Sequence, residues 1–88
     1  MHLPVEIYTR LTCPFCQRAK ELLRIKGVTF IEYRIDDDTG RAAELVERGG
    51  GPVVPGIFIA DRCIGGCNDL FELDERGELD RLLIPARG

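Results

Sequence analysis

Two cysteines three residues apart, Cys13 and Cys16, stand inside Thr9-Arg10-Leu11-Thr12-Cys13-Pro14-Phe15-Cys16-Gln17-Arg18, where alternating apolar residues give way to a helical pattern. A sulfur just ahead of a helix faces the unpaired amide N–H groups of the first turn. Those donors, with the positive end of the helix dipole, favour thiolate over thiol. The chemistry this points to is thiol–disulfide exchange, with Cys13 as nucleophile. Pro14 suits the first helical position, where its missing N–H costs nothing and its fixed φ is already helical. Counting from Cys16, the apolar Ala19, Leu22 and Leu23 recur at +3, +6 and +7, while Gln17, Arg18, Glu21 and Arg24 make a wet side. Cys16 is therefore expected to be the sheltered sulfur and Cys13 the exposed one that meets substrate. The small loop between them closes and opens readily.

Bringing a thiol from a pKa of ~8.5 to around 5.5 takes roughly 4 kcal/mol. A helix dipole supplies about 0.3 to 2 kcal/mol of that, so amide hydrogen bonds and a nearby cation must contribute the rest. Arg10, just before the pair, is the first candidate for the cation, with Arg18 and Lys20 as further helpers.

The elements that must position these residues follow from pattern. Leu3, Val5 and Ile7 alternate with Pro4, Glu6 and Tyr8 as a first strand ending near Thr9. The helix from Pro14 is expected to reach about Lys26, with Gly27 as its C-terminal cap. Thr29 to Ile35 reads as a second strand, parallel to the first across a right-handed crossover. Asp36-Asp37-Asp38-Thr39-Gly40 turns into a second helix over about Arg41 to Arg48, with Ala42, Leu45 and Val46 inward. Gly49-Gly50-Gly51-Pro52 reads as a flexible connection, because no Lys-Ser/Thr follows and a strand comes next, unlike a phosphate loop. Val53 to Ala60 is a third strand with Pro55 at its entrance, Asp61-Arg62 a tight turn, and Cys63-Ile64 a short fourth strand. After Gly65-Gly66, Asn68 or Asp69 is expected to cap a third helix carrying Leu70, Phe71 and Leu73, and a last helical turn holds Leu79, Leu82 and Leu83. The class is α/β.

Eighty-eight residues, 44% of them hydrophobic, suffice for one packed domain spanning 1–88. Four cysteines fall well short of a stapled secreted scaffold. The start Met1-His2-Leu3-Pro4-Val5-Glu6 is neither basic nor apolar enough for a signal peptide, and no stretch would span a bilayer. These features favour a reducing, cytoplasmic setting with no membrane partner. A net charge of −3 and a pI near 5.1 argue against nucleic acid as the main partner.

Plainer readings stand beside the sharper ones. The three aspartates more simply cap a helix than bind a metal. Cys63 reads as a small apolar strand residue and Cys67 as a helix-entrance residue whose backbone matters more than its sulfur. Cys13/Cys16 and Cys63/Cys67 form C-x2-C and C-x3-C pairs, but their separation far exceeds common zinc spacing, so a metal or iron–sulfur module is a rival and not the reading adopted. His2 reads as a solvated terminal residue, Tyr8 and Tyr33 as packing, and Glu44, Glu47 and Arg48 as solvated helix surface.

CPFC after a first strand, VVP before a third, and IGGCNDL at a helix start, taken together, resemble the glutaredoxins of the small dithiol bacterial type, from Val5 to Leu83. The resemblance implies a thioredoxin-like fold, βαβαββα, with a four-stranded mixed sheet flanked by helices and a cis Pro55 facing the cysteines. It implies a monomeric enzyme with glutathione as co-substrate, no tightly bound cofactor and no metal. Disulfide-containing or glutathionylated proteins would be its partners. Cys13 would carry the mixed disulfide and Arg10 would attract the glycine-end carboxylate. The Val54 backbone would pair with the tripeptide, Phe15 and Pro55 would border it, and Gly66-Cys67-Asn68 would hold the γ-glutamyl end. Amides at a helix N-terminus beside two glycines are independently a good carboxylate site.

Some residues depart from the family's usual pattern. Phe15 lacks the common tyrosine hydroxyl, Val53 replaces a frequent threonine, and Gly51 and Gly56 replace longer polar residues. Asn68 replaces an aspartate, which removes a charge-assisted contact worth about 1 to 3 kcal/mol unless Asp69 substitutes. Arg48 would reach a glutathione carboxylate if the triglycine loop allows it. These departures leave a second redox reading open, reduction by a flavoprotein thioredoxin reductase in place of glutathione.

Overall fold

The computed structural model describes residues 2–85. Its elements run β1 (Val5–Thr9), α1 (Pro14–Ile25), β2 (Ile31–Arg34), α2 (Thr39–Glu47), β3 (Gly56–Ile59), β4 (Arg62–Gly65), α3 (Cys67–Glu75) and α4 (Leu79–Leu83). The sheet order is β2-β1-β3-β4. β1 is parallel to β2 and antiparallel to β3, and β4 returns antiparallel to β3, so the sheet is mixed.

Side-chain alternation on the two central strands divides the core. Val5 and Ile7 of β1 with Ile57 and Ile59 of β3 meet Ala19, Leu22 and Leu23 of α1, Leu70 of α3, and Leu79 and Leu83 of α4. Tyr8 and Phe58 point the other way, onto Leu45 of α2 and Ile35. β1 and β3 are thus covered on both faces, which is why GIFI is apolar throughout and buried at every position.

Several expected boundaries move, each for a local reason. β2 is shorter than Thr29 to Ile35. β3 begins at Gly56 and not at Val53, since Pro55 has no N–H to give a ladder. α2 starts at Thr39, ahead of Arg41, because the Asp38 side chain accepts the Gly40 N–H at 2.9 Å and caps the helix there. α3 starts at Cys67 with Gly66 as its N-cap. Neither Asn68 nor Asp69 is the cap, and Asp69 instead sits at the third helical position and accepts the Gly66 N–H at 2.9 Å. The tight turn centres on Ala60-Asp61, both at positive φ (50° and 68°), the twist that suits a two-residue hairpin.

α2 turns Leu45 fully inward and Ala42 partly so, while Val46, also expected inward, is 52% exposed. Leu45 fills space that two glycines leave. A Cβ on Gly50 or Gly56 would come within 2.3 or 2.5 Å of its Cδ1. The triglycine connection is tied back to α2, with Gly49 N–H donating to Val46 O (3.0 Å) and Gly50 N–H to Leu45 O (2.9 Å).

Arg48, expected as solvated surface, is a joint. Its guanidinium donates to Glu6 (2.9 and 3.1 Å), to Tyr8 Oη (2.8 Å) and to Asp61 (3.1 Å), and it stacks 4.1 Å from the Phe58 ring centroid. The Glu6 carboxylate also accepts the Tyr33 hydroxyl at 2.9 Å, and Tyr8 donates to Glu44. Engaged in this way, Arg48 is not placed to reach out for a ligand. The same hydrogen bond from Arg48 holds the Glu6 carboxyl below the ordinary glutamate value.

Candidate active site

Cys13 is the N-cap of α1, in extended backbone (φ −136°, ψ 99°), with Pro14 first in the helix. Its Sγ accepts the Cys16 N–H at 3.1 Å, and its carbonyl accepts the Gln17 N–H at 3.1 Å. A helix-tip sulfur receiving a first-turn amide is the arrangement that favours thiolate. Cys13 and Cys16 are joined as a disulfide, their Cα atoms 5.1 Å apart. Cys13 is half-buried and Cys16 has no exposure at all.

The loop that delivers Cys13 is pinned twice where it leaves β1. Ile35 N–H donates to Thr9 O at 2.9 Å, and Leu11 N–H donates to Asp36 Oδ2 at 2.9 Å, while Arg34 braces Asp36 at 3.0 Å. Arg34 and then the Leu11 amide hold the Asp36 carboxyl below the ordinary aspartate value. The sequence offers Asp36 only as one of three turn aspartates. Its place directly after a strand parallel to β1 is the signal that singles it out.

Two grooves meet beside the cysteines. One, of about 390 Å³, is lined by Arg10, Thr12, Cys13, Pro14, Pro52, Val53 and Val54. The other, of about 190 Å³, is lined by Phe15, Val53, Val54, Pro55, Gly66, Cys67, Asn68 and Asp69. Val53 and Val54 border both. The expected binding positions therefore fall on one continuous face, with Arg10 at one end and the α3 N-terminus at the other. The Val54–Pro55 bond is cis.

The other cations lie elsewhere. Arg18 sits 5.6 Å over the Phe71 ring. Lys20 turns inward, 8% exposed, and donates to Glu32 at 3.0 Å. Of the three candidates only Arg10 lines a groove with Cys13. Cys67 is buried, and burial pushes its thiol above the ordinary value, with Arg18 opposing. Cys63 lies in the short strand β4, as expected, and is exposed there at the sheet edge. Among the described residues, no three His, Cys, Asp or Glu side chains group so as to hold a metal ion, and no helix is long and apolar enough to cross a membrane.

The family model described as Glutaredoxin matches residues 5–64. The chain belongs to the glutaredoxins. It is 54% identical over 79 residues to glutaredoxin 3 of Escherichia coli (strain K12), covering 90% of this chain and 95% of that protein. The solution structure of a Brucella melitensis glutaredoxin is similar at 45% identity and a TM-score of 0.81, covering 93% of this chain and 89% of that one. The crystal structure of a buckwheat glutaredoxin–glutathione complex is similar at 27% identity and a TM-score of 0.83, covering 92% and 76%. Four-stranded mixed sheet and flanking helices are thus the thioredoxin-like fold of this family.

Within this glutaredoxin site, Asp69 is already committed to the Gly66 amide. It stands inside the capping turn, and the neighbouring Asn68 brings no charge to the groove.

Proposed function

We propose that the chain is a glutathione-dependent thiol–disulfide oxidoreductase that reduces protein disulfides and glutathione mixed disulfides through Cys13 and Cys16. It works as a single domain over 1–88, as a monomer, in a reducing cytoplasmic setting. The observation that carries the reading is the half-buried Cys13 sulfur at the tip of α1, bonded to the Cys16 amide and within disulfide reach of a fully buried partner. The complex formed by the buckwheat relative supports glutathione as the ligand.

In the cycle, the Cys13 thiolate attacks a disulfide sulfur. From a glutathionylated protein it takes the glutathione, the protein leaves as a thiol, and a second glutathione thiolate attacks to release glutathione disulfide. From a protein disulfide, a mixed disulfide forms that Cys16 resolves, leaving Cys13–Cys16 oxidised for glutathione to reduce. Arg10 would receive the glycine-end carboxylate, the Val54 backbone would pair with the tripeptide between Phe15 and Pro55, and the first amides of α3 at Gly66-Cys67-Asn68 would receive the γ-glutamyl carboxylate.

A glutathione-coupled assay on a small mixed disulfide tests reductant and chemistry together. Turnover is expected for the native protein and for Cys16→Ser, and loss for Cys13→Ser. Cys16→Ser is expected to lose protein-disulfide reduction. Equal loss of both activities in Cys16→Ser, or activity in Cys13→Ser, overturns the assignment. Because Asp69 is occupied by its cap and Asn68 is neutral, a second reductant is worth a parallel arm. Faster reduction of the disulfide by thioredoxin reductase than by glutathione would favour that rival.

A further inference from the structure

Among the described residues, two polar ones are buried with the core side chains, Thr9 (0% exposed) and Lys20 (8%), and both bond the same oxygen. Glu32 Oε2 accepts from Thr9 Oγ1 at 2.6 Å and from Lys20 Nζ at 3.0 Å. One carboxylate therefore ties the end of β1, the edge strand β2 and the middle of α1. The thiol–disulfide cycle described above leaves this cluster without a role. Burying charges is costly, and a buried ion pair is weak evidence of stabilisation.

Its location supplies a role. Lys20 follows Cys16 by four residues on α1, and both face inward. Such residues stand one above the other, with Cβ atoms about 5 to 6 Å apart. A long helical side chain also leans back towards the helix N-terminus, which for Lys20 is the direction of Cys16. The ammonium is thus carried on the sulfur's own helix stripe, and the opposing carboxylate is carried on a strand.

We propose that Lys20, held by Glu32 and Thr9, is a positioning residue for Cys16. Its ammonium sets how readily the buried thiol gives up its proton, and hence how fast a protein mixed disulfide is resolved. This rests on the thiol–disulfide reading above. In the step concerned, Cys16 loses its proton and its sulfur attacks Cys13 Sγ. The bond from Cys13 to the substrate sulfur breaks, and the substrate sulfur departs as a thiolate that takes up a proton. Cys13 and Cys16 end oxidised as a disulfide, and the substrate disulfide has gained the two electrons. A buried thiol resists ionisation, so a fixed cation on the same inward helix stripe is the element this step needs.

Other ionisable groups at this end act less directly. Cys13 is occupied in the mixed disulfide. Cys67 of α3 is buried and its thiol is raised, so it is uncharged near neutrality. Arg10 and Arg18 are exposed, so water weakens their effect, and the one buried thiol Arg18 acts on is Cys67. Asp36 is neutralised by Arg34.

The test is a titration of the Cys16 thiol in a Cys13→Ser background, read by NMR at its Cβ. Lys20→Met is expected to move the midpoint up by about one pH unit, because only the carboxylate remains. Glu32→Gln, which keeps the acceptor oxygen for Thr9 and Lys20, is expected to move it down. Lys20→Arg is expected to hold it near the native value. In the native dithiol background, Lys20→Met is expected to slow release of the reduced protein substrate about five- to tenfold at neutral pH, in line with the smaller thiolate fraction. A purely architectural role would not give shifts of opposite sign. Unmoved midpoints, or midpoints moved in the same direction by Lys20→Met and Glu32→Gln, overturn the proposal. Should Lys20→Met not fold, the downward shift in Glu32→Gln with no shift in Lys20→Arg carries the same decision. The titration uses no substrate, so failure of glutathione turnover would count against the proposed function and leave this result standing.

Discussion

At the scale of single residues, the site is a contest between what sulfur needs and what the fold supplies. The Cys13 end was legible because it is local: a strand, two cysteines and a proline at a helix start fix the geometry within a few residues. Lys20 was legible only in part. The sequence offers it only as a helper cation for Cys13, because the Glu32 carboxylate that holds it inward comes from a strand twelve residues further on. Arg48 reads as surface for the same reason, since its partners come from β1 and the β3–β4 turn, away from it in sequence. With Asp69 held by the Gly66 amide, Asn68→Asp is expected to restore a charge-assisted contact for an ammonium at the α3 end of the groove. That would tighten glutathione binding by about 1 to 3 kcal/mol, and calorimetry on reduced protein would check it. No change in affinity would mean that the γ-glutamyl end lies elsewhere.

Among the elements, types and order were readable, and ends were not. Hydrophobic period identifies a strand, but ladder partners decide where it stops, and Val53, Val54 and Pro55 look like strand while lying outside the ladder. The two turns bounding β4 make opposite predictions from one backbone argument. Ala60 holds φ 50° with a side chain that disfavours it, so Ala60→Gly is expected to raise unfolding free energy by roughly 0.5 to 1 kcal/mol. Gly65 holds φ 113°, and a Cβ there would lie 2.3 Å from Asp69 Oδ2. Gly65→Ala is expected to cost more than about 2 kcal/mol, by strain and by displacing the carboxylate that accepts the Gly66 N–H at the start of α3. Urea denaturation reads both, and a stabilised Gly65→Ala would refute the account of that turn.

For the molecule as a whole, charge pairs join the parts, and their protonation sets the acid limit. Arg48 lowers the Glu6 carboxyl. Burial raises the Glu32 carboxyl, but the Thr9 and Lys20 hydrogen bonds together outweigh it and leave it lowered. A carboxylate whose folded value is depressed binds protons more readily when unfolded. Its contribution is therefore present above the ordinary value of 4.5 and is lost as pH falls through the lower folded value. Stability should be nearly level from pH 7 to about 5 and decline below about 4.5, with a shallower decline in Glu6→Gln. Urea midpoints across pH check this, and parallel acid limbs in the two proteins would rule it out. Lys26, raised first by Asp74 and also by Asp80, ties the end of α1 to α3 and α4 and acts at the opposite extreme, its help fading only as pH climbs past the ordinary lysine range. The leucine that occupies the room left by Gly50 and Gly56 has an evolutionary corollary. Those three sites are one volume, so across related chains they should covary. A lineage that acquires a bulky residue at position 50 or 56 must first trade Leu45 for something slimmer or more pliable, so that change at either glycine is gated from α2.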